Sequence, residues 1–284
     1  MTMFGSNKGD GGEIVFLGLG CDFGSSGPKG CAIAPEVLRT LNKLNGSDGN
    51  IIDISSGRDL FHLDTISDFG ILKYREDQKI ESYLKGIELI SENIIKDKKL
   101  FSLGGDHLIT YPLLKGALKA HKKIQCLHFD AHFDCNPIDH DSRPSHNNFV
   151  SYLLEEEGIC KWVAVGQRGI GKKKNNPSNK FVNKSLSNFK KELDKEIPLY
   201  ITIDCDVLDL NEFKAVSYPQ PGAGPKMVDL LDALRILIKD GHKIIGIDIC
   251  EYNPKMDSEN YLYGRILSHF IAEILSIIKP GNLN

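Results

Sequence analysis

Acids and imidazoles reach this chain in short clusters, and each cluster follows an apolar run. Gly104-Gly105-Asp106-His107 comes after the run ending at Leu103, and Asp130-Ala131-His132-Phe133-Asp134 after residues 124–129. Asp204-Cys205-Asp206 follows 201–203, and Glu251 follows 244–249. Carboxylate and imidazole donors at this density suit a hard-to-borderline divalent cation. If the backbone stays extended, alternation puts Asp130, His132 and Asp134 on one side and turns Cys205 to the opposite face, so no sulfur is expected among the ligands. His107, Asp130, His132, Asp134, Asp204 and Asp206 make six candidate ligands. A lone metal with an open catalytic position would not use them all, whereas two metals about 3.5–4 Å apart, sharing carboxylates, would do so and activate a bridging water. One Asp at a strand end is ordinarily a turn or helix cap, and Asp106 can be read that way. Seven acids and imidazoles at four strand ends cannot, because an apolar core does not tolerate so much unpaired charge.

The elements that must position these groups alternate from end to end. Apolar runs predict strands at 14–19, 51–54, 99–103, 124–130, 162–165, 199–203 and 243–247, several apolar at consecutive positions as strands covered on both faces are. Between them, helices are expected at 35–44, 77–96, 108–121, 147–157, 227–239 and 258–278. In the second, Ile80, Leu84, Ile87, Ile90 and Ile94 keep helical spacing. The alternation implies an α/β fold with a mainly parallel sheet between helices, whose ligand sites lie at the carboxyl ends of strands. No repeat or linker divides residues 1–284, so one domain is expected. Residues 172–195 carry eight lysines and read as an exposed loop leading into a polar helix, with a docking surface for an acidic partner as the sharper alternative.

Bulk composition narrows the function. The 284 residues hold 35 Lys plus Arg against 38 Asp plus Glu, a net charge of −3 that lacks the general basic footprint of a nucleic-acid binder. No apolar run approaches the ~20 residues needed to span a bilayer. The polar, Gly-rich start has no signal-peptide core, and seven cysteines stand singly without a CxxC, which together read as reduced thiols in a cytoplasmic protein.

These motifs, in this order, resemble the ureohydrolase (arginase/agmatinase) family: GGDH, DAHFD, a following Ser145-His146, Asp204-Cys205-Asp206-Val207-Leu208-Asp209, and Asp248-Ile249-Cys250-Glu251-Tyr252-Asn253-Pro254. The resemblance runs from Phe16 to Pro254 and takes in the opening stretch that ends Ala34-Pro35-Glu36-Val37-Leu38-Arg39. It implies a three-layer αβα fold and two Mn2+ ions. One would be held by His107, Asp130, Asp134 and Asp204, the other by His132, Asp130, Asp204 and Asp206. The family's proton-shuttling histidine falls on His146 and its guanidinium-binding glutamate on Glu251. Asp134 would steady the tetrahedral intermediate and pass a proton to the leaving amine. His128 shares strand parity with Asp130 but reads as a packed histidine; His62, His121, His140, His242 and His269 carry no motif.

The substrate signals divide. Asn136 and Ser142 match positions with which arginases hold the substrate carboxylate. Where arginases place acids for the α-amino group, this chain has Val165-Gly166-Gln167-Arg168-Gly169-Ile170-Gly171, more like agmatinases. After the DxD strand, the family's Asp-Pro and Ala-Pro-Gly are replaced by Asp209-Leu210 and Lys214-Ala215-Val216-Ser217-Tyr218. The expectation is hydrolysis of a guanidino group to urea and an amine, on agmatine-type substrates or an arginine side chain. The alternatives are a peptide arginase making peptidyl ornithine, a free-arginine arginase, a formiminoglutamase or a non-catalytic metal-binding protein. The implied partners are a small guanidino compound or an arginine-containing peptide, and further copies of the chain as a trimer or hexamer. A single-zinc deacetylase would carry a tandem histidine pair, and no His-His occurs.

Overall fold

Residues 1–42, 49–138, 143–170 and 177–279 are described by the structure, a computed structural model. The strands in chain order are β1 (Asn7–Lys8), β2 (Ile14–Gly20), β3 (Asn50–Asp53), β4 (Arg58–His62), β5 (Ile66–Lys73), β6 (Lys99–Leu103), β7 (Ile124–Phe129), β8 (Ile159–Val165), β9 (Phe181–Lys184), β10 (Leu199–Asp204) and β11 (Ile244–Cys250). Nine of them form one sheet in the order β1-β5-β2-β6-β11-β10-β7-β8-β9. Every neighbouring pair in it is parallel.

The helices are α1 (Ala34–Leu41), α2 (Ile80–Ile95), α3 (Thr110–His121), α4 (Phe149–Glu155), α5 (Met227–Lys239) and α6 (Leu262–Ile278). They cover the sheet in two layers. Leu38 of α1, Leu234 of α5 and Ile271 of α6 pack on Phe16, Phe101, Leu127 and Ile201. Ile87 of α2, Leu113 of α3 and Leu153 of α4 pack on Val15, Leu100, Cys126 and Tyr200. Adjacent residues of one strand thus feed opposite cores, which is why β2, β7, β10 and β11 are apolar at successive positions and buried throughout. The result is the expected three-layer αβα sandwich.

Two expectations change. The run at 51–54 does not join the central sheet: β3 pairs antiparallel with β4 in a separate hairpin. The lysine-rich stretch does not lead into a polar helix: its described part forms β9 and a short 3-10 turn at Phe189–Glu192. Phe181 and Phe189 are buried there, while Lys184 pairs with Glu192 and Lys190 with Asp240. Residues 172–176 of that stretch lie outside the described residues.

Candidate metal centre

The sheet brings all six expected ligands to its carboxyl rim. β6 delivers His107 through a 3-10 turn at His107–Ile109 that Asp106 caps by accepting from Leu108 N–H. Asp130, His132 and Asp134 follow β7, whereas Asp204 ends β10 and caps the turn bearing Asp206 by accepting its N–H at 2.8 Å. His107 Nδ1 lies 3.2 Å from Asp130 Oδ2, 3.1 Å from Asp134 Oδ2 and 3.2 Å from Asp204 Oδ2. His132 Nδ1 lies 2.8 Å from Asp206 Oδ2 and 3.6 Å from Asp130 Oδ1. Asp130 therefore spans both groups.

This donor set fits a divalent cation. His107 Nδ1 is buried with no hydrogen-bond partner, and three carboxylate oxygens converge on it. Burial and the charge of Asp130 push Asp134 up to about 7 and Asp206 up to about 6. Asp204 is likewise raised by burial, with Asp206 and Asp130 adding to it. Carboxylates gathered this closely repel one another until positive charge joins them. On His132 the effect of burial is outweighed by Asp130 and Asp206, which raise it to about 12.

Side chains behind the ligands fix their rings. His107 Nε2 lies 2.9 Å from Thr202 Oγ1, which donates to Asp248 Oδ1 at 2.7 Å, and Thr110 Oγ1 donates to the same oxygen. Thr202 can then only accept from His107, so Nε2 carries the proton and Nδ1 is left bare. His128, kept neutral by burial, accepts from Trp162 Nε1 and meets Asp130 Oδ2 at 2.8 Å, a packed and orienting role. The hydroxyls and Asp248 were not expected to support the site, although Thr202 shares strand parity with Asp204. The sequence reading weighed Cys135 and Cys205 but not Cys250, whose sulfur lies with donor atoms of His107 and Asp204 in a group within 4.8 Å, because the strand parity that points Asp248 inward also applies two residues later.

A cavity of about 190 Å³ opens over the ligands, lined by Ser26, His132, Asp134, His146, Asn147, Asp204, Asp206, Val216, Tyr218 and Glu251. Glu251 Oε1 accepts from His107 N–H at 2.9 Å and stands 3.7 Å from His146 Nδ1. On its other side, Cys31 Sγ lies 3.6 Å from Oε2. Burial alone would lower His146, but Glu251, Asp134 and Asp106 raise it overall. Its Nε2 meets Ser26 Oγ at 3.0 Å, and that hydroxyl meets Tyr218 OH at 3.0 Å. Glu251 and Asp134 adopt positive φ, 63° and 47°, a conformation uncommon for residues other than glycine.

One of the two expected substrate contacts stands apart from this cavity. Asn136 is half-buried, with its backbone joined to Asn147 and Ser151, and it is not in the lining. Ser142 lies outside the described residues. The Gly166–Gly169 stretch, read as a specificity signal, has architectural duties: a Cβ on Gly166 would come within 2.4 Å of Val207, and the Arg168 guanidinium donates to the carbonyls of Asp206, Val207 and Leu208.

Comparison with known proteins agrees with this architecture. The profile described as the Arginase family matches residues 12–276. Arginase 2, chloroplastic/mitochondrial, of Arabidopsis thaliana is 25% identical over 92% of this chain and 79% of its own length. The agmatinase of Chromobacterium violaceum is 25% identical over 95% of this chain and 85% of its own. A crystal structure titled as a hypothetical agmatinase from Burkholderia thailandensis superposes with a TM-score of 0.80 at 23% identity, over 97% of this chain and 89% of that one. With the profile spanning every element that carries a candidate ligand, the chain belongs to the arginase family.

Proposed function

We propose that this protein is a divalent-metal-dependent amidinohydrolase that releases urea from a linear guanidinium compound, and that its substrate is of the agmatine type. The carrying observation is the cavity lining. Glu251 is the lining carboxylate that lies outside the proposed metal ligands, and no Lys or Arg is among the described residues that line the space. A cationic guanidinium is drawn to that carboxylate, whereas the carboxylate of free arginine or of formiminoglutamate meets no Lys or Arg in the described lining. At about 190 Å³ the space also falls below the ~300 Å³ lower end usual for drug-sized ligand pockets, in keeping with a small polyamine-like molecule.

His107, Asp130, Asp134 and Asp204 would hold one ion and His132, Asp130, Asp204 and Asp206 the other, with two Mn2+ ions as the proposed pair. When bound, such a pair supplies Lewis acidity and brings the pKa of water near neutrality, which matters because the charge of a guanidinium is spread over its nitrogens and blunts its carbon as an electrophile. The protein's own residues do the rest. Glu251, fixed by His107 N–H, is placed to grip the planar head by paired charge-assisted hydrogen bonds. Asp134, in the cavity lining, would pass a proton to the departing amine. His146 stands between Glu251 and the exposed Ser26 hydroxyl, so a proton taken at one ring nitrogen has a route outward from the other.

The test is urea release by the Mn2+-loaded protein from agmatine, arginine, guanidinobutyrate and an arginine-containing peptide, with formamide release followed from formiminoglutamate. Agmatine is expected to give the highest kcat/KM. Urea chiefly from the peptide would move the substrate to arginine side chains, and urea from none would overturn the reading. Glu251→Gln should weaken substrate binding about 10–100-fold, the cost of about 1.5–3 kcal/mol for a hydrogen bond to a charged group, while still binding metal. Full activity in that variant would remove Glu251 from its role.

A further inference from the structure

His132 is held from behind by a side chain that neither the strand ends nor the family motifs indicate. Gln220 lies between β10 and α5, two residues after the stretch 214–218 that replaces the family's Ala-Pro-Gly run, and its Nε2 is 2.7 Å from His132 Nε2. The opposite nitrogen, Nδ1, is the one that faces Asp206 and Asp130. A neutral imidazole has one protonated nitrogen and one bare one. Coordination through Nδ1 therefore puts the proton on Nε2, where it needs an acceptor. A half-turn of the Gln220 amide supplies its Oε1 as that acceptor. The other end of the amide sits against Gly169, at φ 96°, where a Cβ would come within 2.6 Å of Oε1.

Gln220 is itself fixed in place. Its carbonyl accepts from Arg168 Nε at 3.3 Å, and Arg168 Nη2 donates to Asp206 O at 2.7 Å. The same guanidinium reaches Val207 O at 2.8 Å and Leu208 O at 3.0 Å. Next to it, Gln167 Nε2 donates to His132 O at 3.1 Å. One arginine thus ties the backbone of Gln220 to the backbone of Asp206, and the two side chains meet His132 on its two ring nitrogens.

We propose that Gln220 is a positioning residue for the metal centre: it sets the tautomer and tilt of His132, and Arg168 anchors it to the loop that carries Asp206. This rests on the metal-dependent reading above. The test uses the full chain, stripped with a chelator and titrated with Mn2+, with free Mn2+ followed by its electron paramagnetic resonance signal. Wild type is expected to bind two ions. Gln220→Leu, which keeps the bulk and removes the acceptor, should loosen one of the two about 10–100-fold and leave the other unchanged. Gln220→Glu, which keeps an acceptor, should hold that ion at least as tightly as wild type. The proposal is overturned if the Leu variant binds both ions as wild type does, if it loses both equally, or if the Glu variant binds more weakly than wild type. The comparison of Glu with wild type decides the matter even if the Leu variant does not fold. Wild type that binds no Mn2+ would instead overturn the metal-dependent reading itself.

Discussion

His107 and His132 present the same ring to the same cluster of carboxylates, yet they are supported from different parts of the molecule. The His107 side chain is fully buried and its support is the sheet: register pairs Thr202 of β10 with Asp248 of β11 on one side and with His128 of β7 on the other. The His132 side chain is 34% exposed and its support is loops, from Gln220, Gln167 and the segment clamped by Arg168. Strand register cannot slip without turning every side chain to the opposite face, so the inner half is fixed along with the core. The outer half can be reshaped by loop changes that leave the sheet untouched, and it is there that this sequence departs from its family.

Replacing each histidine by Ala in chelator-stripped protein should break the symmetry between them most visibly. His107→Ala leaves a core cavity at an expected cost of about 3 kcal/mol in urea denaturation. His132→Ala, beside solvent, should cost about 1 kcal/mol. Equal costs would mean that the two halves share one support. Thr202→Val keeps the shape and removes the acceptor for His107 Nε2. The ion held by His107 should bind about 10–100-fold more weakly, with the other unaffected, as measured by Mn2+ titration. Loss at both sites would show that sheet and loop supports are coupled.

The smallest effect is a pH trend. Asp206 and Asp134, raised from 3.8 to about 6 and about 7, keep protons in the folded metal-free protein that the unfolded chain has already released. Folding then binds protons, so stability is highest below the ordinary carboxylate range and is lost as pH rises through about 4 to 7. Stripped protein should accordingly melt at a lower temperature at about pH 8 than at about pH 5, and added Mn2+ should restore most at the higher pH, where the ligands are free of protons. A melting temperature independent of pH would argue against repulsion among these carboxylates.

The inner half was the more legible in the sequence. Asp130, Asp204 and His107 are written at the ends of long apolar strands, where period and polarity change together, and α5 occupies the expected 227–239. What escaped was of two kinds. β5 and β9 lie toward the edges of the sheet, where exposure lets residues such as Lys73 and Lys184 interrupt the apolar pattern. Gln220 and Arg168 act through contacts between segments distant in the chain, which no local spacing encodes. Arg168 also shows how a short motif misleads: its guanidinium is engaged by carbonyls, so its resemblance to the agmatinase pattern reports on loop construction before it reports on substrate.

The great parallel sheet tapers to strands of two residues at β1 and four at β9. Such short borders give a stray extended peptide almost no ladder to extend, so assembly by strand addition is discouraged without any sacrifice of the long central strands. The tapered outline thereby guards against fibrous growth while the chain is still finding its slow, non-local strand pairings.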